Sequence, residues 1–390
     1  LLAAGLATLT LLGCTISRGP TASGARLTSP SPNPVDSKAA DFRTRLDLLL
    51  GEHVIVIAKL SSAARRSDEF TSYLHLLTSN GNDLTELVRS ALGDTAATGF
   101  EKIWAAQNDY LVNYTIGLVT HNKPKADGAA TNLVREFVPR FSQFLATAAE
   151  IPPAPVEQLV AQHAAQTKAM VDDQVAQNYP KTYADLRVVY AQASRIGDQL
   201  APRIAQKHPD KFPGNASSRA VDLRVMVNGL LQEHTYLATM TTSATIGRRA
   251  AEQAAATNAL AANTTALVAL FGDLFGPSAA TQLLQIWAAK NKALVGYASA
   301  ATAAATRSAL SQLNDVFVPR FSGFVQTWTK GTSLRPAIES QVEATVTVID
   351  AQKSRSLARL GADDRSAEAS MELVADLIAA GAVAELAQRF

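Results

Sequence analysis

A single cysteine, Cys14, stands in 390 residues. That excludes a disulfide framework within the chain and any cysteine-based zinc site. The charges nearly cancel: Lys and Arg number 36, Asp and Glu 34, for a net of +2. So slight a basic excess leaves no electrostatic footprint for nucleic acid, and none is expected as a partner. There is no nucleophile elbow, phosphate-cradling glycine loop or dinucleotide fingerprint, and neither His-Glu-x-x-His nor Glu-x-x-His occurs. An enzyme is therefore not the expected reading. Past the N-terminal residues no long hydrophobic run is expected to span a bilayer, which needs about 20 apolar residues. β-Branched alternation is missing too, and Gly and Pro are sparse beyond the N-terminal segment. What remains is Ala-rich, 47% hydrophobic and 18% charged, a balance that supports a sizeable core built from helices. The fold class read from it is all-α.

Residues Leu1 to Gly13 read LLAAGLATLTLLG, apolar or small throughout and uncharged. The stretch is too short to cross a membrane but fits a signal-peptide h-region, residues 1–13, with its charged n-region missing. Leu11-Leu12-Gly13-Cys14 ends it. This resembles the lipobox of bacterial lipoproteins, in which the Cys is acylated on its thiol and becomes the mature N-terminus. The resemblance implies an acyl group on Cys14, a membrane as partner through that anchor, and an extracytoplasmic place on the outer face of the cytoplasmic membrane. With the Ala-rich composition it points to an actinobacterial surface lipoprotein. Residues 14–38, rich in Ser, Pro, Thr and Gly, then read as the lipidated Cys and a flexible tether that cannot offset its own ordering entropy.

The rest is a duplication. Phe137-Val138-Pro139-Arg140-Phe141-Ser142 recurs as Phe317-Val318-Pro319-Arg320-Phe321-Ser322. Ile103-Trp104-Ala105-Ala106 with Asn108 and Tyr114 recurs as Ile286-Trp287-Ala288-Ala289 with Asn291 and Tyr297. Glu52-His53 returns as Glu233-His234, and Asp172 and Asp198 as Asp350 and Asp376. Order is kept throughout, so two tandem homologous helical-bundle domains are expected, residues 39–212 and 217–390, joined by the turn formers of His208–Asn215. The period is too long for a solenoid repeat. About six helices per copy are read, with breaks at Ser79-Asn80-Gly81, Gly93-Asp94, Lys123-Pro124, Pro152-Pro153 and Asn178-Tyr179-Pro180. In the second copy they fall at Gly272-Asp273, Gly276-Pro277, Gly331-Thr332-Ser333 and Gly361-Ala362. Ser333 is the expected N-cap ahead of Pro336. Pro139 and Pro319 should kink or start their helices.

Polar residues that both copies keep at apolar-face positions are the candidates for chemistry. His53 and His234 fall on the buried stripe of the first helix of each copy, with Glu52 and Glu233 at its edge. Metal or cofactor binding inside a bundle, with Asp172 or Asp198 and Asp350 or Asp376 as further ligands, is one reading. A core His bonded to neighbouring groups is the plainer one. Trp104, Asn108 and Tyr114, with Trp287, Asn291 and Tyr297, suggest one internal polar network per copy, or alternatively the lining of a ligand pocket. Arg140 and Arg320 are expected to pair with Asp172 or Asp198 and with Asp350 or Asp376.

The Leu-Leu-x-Glu-His start of each copy resembles secreted helical-bundle proteins of bacilli and actinobacteria with no settled function. In those a later helix carries His-Met before Asp-Leu. Here that helix has Gln192-Ala193 before Asp198-Gln199, and Ser370-Met371 before Asp376-Leu377. Two functions follow as expectations. One is a membrane-anchored, non-enzymatic envelope module that binds or scaffolds an envelope protein or a small ligand. The other is a ferritin-like or hemerythrin-like bundle that binds a metal or cofactor through the repeated Glu-His pairs.

Overall fold

A computed structural model describes residues 33–329 and 333–390. Residues 1–13, Cys14 and most of the expected tether lie outside the described residues, as do Gly331 and Thr332.

Among the described residues every regular element is helical, so the chain is all-α. The first copy runs α1 (Lys38–Ala63), α2 (Ser67–Leu92), α3 (Asp94–Val119), α4 (Lys123–Asn132), α5 (Val138–Ala149), α6 (Pro153–Val175) and α7 (Tyr179–Lys207). The second repeats the order: α8 (Arg219–Ile246), α9 (Ala250–Phe275), α10 (Pro277–Ser299), α11 (Ala303–Ser311), α12 (Val318–Thr329), α13 (Arg335–Ser354) and α14 (Leu360–Glu385). A π turn, Leu133–Phe137 or Gln312–Phe317, joins α4 to α5 and α11 to α12. Counted as continuous, these give the expected six helices per copy. The π turn answers to the proline. Pro139 and Pro319 have no N–H to give, and their rings press on the preceding turn. Widening that turn, with Val138 and Val318 bonded to the carbonyls of Leu133 and Leu313, makes room for the ring.

The starts and stops follow local chemistry. Ser37 and Ser218 cap α1 and α8 by accepting from the N–H groups of Ala40 and Val221. Gly93 and Gly276 turn matching corners at φ +88 and +90, where a side chain would be strained. Three expected breaks are not breaks. Ser79-Asn80-Gly81 lies within α2, Gly272-Asp273 within α9, and Gly361-Ala362 in the first turn of α14. Gly81 instead lets Trp104 approach, and a Cβ on Gly361 would stand 2.7 Å from the carbonyl oxygen of Ser72. Ser333 is not a cap; Leu334 holds that position, without a side-chain bond.

Residues Asn33–Phe390 form one compact unit. The two copies thus share a body and do not stand apart on either side of His208–Asn215. α1 and α8 run side by side through its middle, α7 packs on α1 and α14 on α8. Val54, Ile55, Val56, Ile57 and Ala58 are consecutive and all at most 1% exposed. A helix apolar all round belongs in a core. The end of the expected tether is docked as well: Val35 is buried, and the amide of Asn33 donates to Ala380 O at 3.0 Å.

α9 corrects another expectation. It is long and apolar enough to cross a membrane by length and composition, and residues 253–272 carry no charge. Here it packs on α8 and α10, with Asn263 and Thr264 buried.

Candidate functional site

The repeated polar residues converge where the copies meet. Glu52 on α1 accepts from the amide of Asn80 on α2 at 2.8 Å. It also takes Tyr236 Oη at 2.8 Å from the other copy, and Arg365 on α14 through both carboxylate oxygens at 3.0 and 2.5 Å. Glu233 mirrors it. Asn263 donates at 2.7 Å and Arg187 on α7 at 2.8 Å. Each glutamate is therefore clasped by an arginine of the opposite copy.

A second exchange lies at the starts of α1 and α8. Arg43 meets Asp198 of its own copy at 2.7 Å, Asp222 of the other at 2.6 Å, and the carbonyl of Ala216, just before that copy, at 2.7 Å. Arg224 meets Asp376 at 2.7 Å, then Asp41 and the Val35 carbonyl across the junction at 2.5 and 2.9 Å. The pattern is that of an isologous interface, in which each partner repays the other's contact. Burial opposes both guanidinium charges, but their carboxylates more than offset it and raise both pKa values.

The histidines do not reach these carboxylates. Trp287 Nε1 donates to His234 Nδ1 at 3.0 Å, and Asn263 Oδ1 lies 3.2 Å from the same nitrogen. Burial holds His234 well below its ordinary pKa, and the nearby Lys290 adds to this. His53 lies 4.7 Å from the Trp104 ring, but among the described residues both its nitrogens and Trp104 Nε1 are without partners. Burial, with His163 nearby, pushes His53 down to about 3. His163 itself falls to about 4 through burial.

The aspartates lie elsewhere. Tyr114 donates to Asp172, which also pairs with Lys168 at 2.8 Å. Tyr297 donates to Asp350 at 2.6 Å. The expected single network therefore splits into a Glu-Asn-His-Trp cluster, complete only in the second copy, and a peripheral Tyr-Asp pair. Asn291 donates to Thr264 at 3.2 Å, and among the described residues the side-chain carbonyl oxygens of both Asn108 and Asn291 have no partner. The arginine expectation is corrected too. Arg140 is exposed and pairs with Glu136 at 2.6 Å, one turn away, and Arg320 is exposed. Asp198 and Asp376 are held by Arg43 and Arg224 instead. Among the described residues no group of three or more His, Cys, Asp or Glu is placed to hold a metal ion.

Sequence reasoning missed Arg43 and Arg224, Arg187 and Arg365, and Asn80 and Asn263. All recur at the same spacing as the residues it found, so the duplication contained the signal. Lys59 has no such signal, because Met240 matches it. It is buried and joins Asp364 of the other copy at 2.7 Å.

Several grooves lie along the junction. One, of about 690 Å³, lies between α7 and α9; its counterpart between α14 and α2 holds about 440 Å³, and another, between α7 and α8, about 570 Å³. Comparison with protein-family models, curated proteins and solved structures finds no match to the chain.

Proposed function

We propose that the chain is a lipid-anchored envelope protein, held on the outer face of the cytoplasmic membrane by an acylated Cys14. Its helical body is a non-enzymatic binding or scaffold module. The reciprocal clasp of Glu52 by Arg365 and Glu233 by Arg187 carries the second half of the reading. The charged groups that both copies keep are spent on each other, as ties between the copies, and no nucleophile and base are paired among them. The anchor rests on the uncharged apolar lead and the Gly13-Cys14 step. Such an anchor lets a folded body sit at a membrane without a spanning helix, although one acyl chain alone binds only marginally.

Cell fractionation tests it. The wild-type chain should sediment with membranes and take up labelled fatty acid, and Cys14→Ser should do neither. Membrane retention of unlabelled Cys14→Ser protein overturns the anchor. An activity that is lost with Glu52→Gln, while the fold persists, overturns the non-enzymatic reading.

A further inference from the structure

We infer that the groove between α7 and α9 binds one small amphipathic anion: an apolar body with a single acidic group and at least one N–H or O–H donor. The inference deepens the binding reading above and rests on it.

The duplication supplies an internal comparison. On the α14 side, beside the smaller groove, ion pairs cross the junction. Arg45 approaches Asp83 at 3.6 Å and Glu372 at 3.7 Å, and Arg365 meets Asp83 at 2.9 Å. Gly361 brings the α14 backbone against Ser72. On the α7 side Met226 stands in place of Arg45, Ala266 of Asp83, Ser194 of Glu372, and Tyr183 of Gly361. No ion pair crosses this side at those positions among the described residues, and Val188, which lines the groove, remains 54% exposed.

The lining selects the ligand. It contains Arg187 and Arg195 and no acidic residue. Arg187 is occupied by Glu233. Arg195 is exposed and makes no ion pair or hydrogen bond among the described residues, and its counterpart is Leu373. Gln192, 4% exposed, sets its amide beside His163; Tyr183 is 2% exposed, and its Oη has no partner among the described residues. Buried polar atoms left so are costly until something bonds them. The counterpart of Tyr183 is Gly361, so the repeated fold does not require this hydroxyl. A volume of about 690 Å³ suits one small molecule. The acidic group pairs with Arg195, the donor answers the Tyr183 hydroxyl oxygen, and the body lies along Val188 and the alanines of α9.

The probe is 1-anilinonaphthalene-8-sulfonate, which has an apolar body, one N–H and one sulfonate. It is titrated into the full chain carrying Cys14→Ser, so that no detergent is present. The expected result is a saturable fluorescence rise at one site per chain. Arg195→Glu should weaken binding about tenfold or more, the worth of one charge-assisted contact. Ala259→Trp, which fills the groove, should abolish it. Leu373→Ala, at the mirror position, should change nothing, and circular dichroism should show all variants folded. Unsaturable binding, or binding indifferent to both groove variants, overturns the site. Neither result bears on the anchor, which the fractionation of Cys14→Ser decides separately.

Discussion

Arg365 spans from the second copy to the first and bonds both carboxylate oxygens of Glu52, a residue 2% exposed. Removing the guanidinium strands a buried carboxylate with only Asn80 and Tyr236 for company. Truncating one partner of a buried pair costs about 3–5 kcal/mol. The Arg365 side chain is 25% exposed, so water softens the loss. Arg365→Ala should therefore lose roughly 2–4 kcal/mol in urea unfolding at pH 7. The double variant Arg365→Met, Glu52→Gln should recover much of it. A loss below about 1 kcal/mol for the single variant, the scale of a surface pair, would show that the clasp is not a tie between the copies.

Asp47 and Asn228 occupy matching positions with opposite consequences. Asn228 donates to Asp376 at 2.8 Å. Asp47 instead faces Asp198, and burial together with that carboxylate pushes its pKa well up. An acid raised in the fold contributes stability below its unfolded value of about 3.9, and that contribution is lost as pH rises towards the folded value. Asp47→Asn supplies a donor that needs no proton. It should stabilise the chain by about 1–2 kcal/mol at pH 7 and by little at pH 4. Equal gains at both pH values would remove titration of Asp47 as the cause.

How much of this was legible in the sequence depended on the residue. Glu52, His53, Trp104 and their counterparts could be found because the duplication preserves both type and spacing. Asn80 was hidden because Ser-Asn-Gly has the chemistry of a turn, and tertiary contacts with Leu49 O and Glu52 overrode that local preference. Arg187 and Arg365 recur as faithfully as the glutamates, yet an arginine on a helix edge reads as a solvated charge. No spacing within one copy reveals that its partner sits in the other. The grooves were out of reach for a related reason, since their walls are one helix from each copy, α7 with α9 and α14 with α2.

The repeated Glu-His pairs should not hold a metal in this arrangement. A transition-metal site wants three or four converging ligands. Glu52 is committed to Arg365, Asp198 to Arg43 and Asp172 to Tyr114 and Lys168. Protein purified without an affinity tag should carry negligible metal, equal in the wild type and in the His53→Ala, His234→Ala double variant. Chelator should leave its unfolding midpoint in place. Stoichiometric metal that disappears in the double variant would reverse this conclusion.

Lys290 is 1% exposed, lies over the Trp287 ring at 4.6 Å, and makes no hydrogen bond or ion pair among the described residues. Burial pushes its pKa down to about 7. Its counterpart, Gln107, is uncharged. The unfolded chain holds this proton up to about pH 10.4, whereas the fold gives it up near 7. Between those limits the unfolded state binds more protons, so stability should rise with pH through the window. At and below pH 7 the cost of burying the amine is felt in full, and above about pH 10.4 it vanishes. Lys290→Met keeps the volume and removes the charge. It should gain roughly 2–4 kcal/mol at pH 7 and almost nothing near pH 10.5. Asp47 and Glu368 also titrate inside the fold, the latter near 8 through burial. Only the difference between wild type and variant at each pH isolates the lysine. A gain that does not shrink from pH 7 to pH 10.5 would assign the effect to packing against Trp287 and Phe317 instead of to the buried charge.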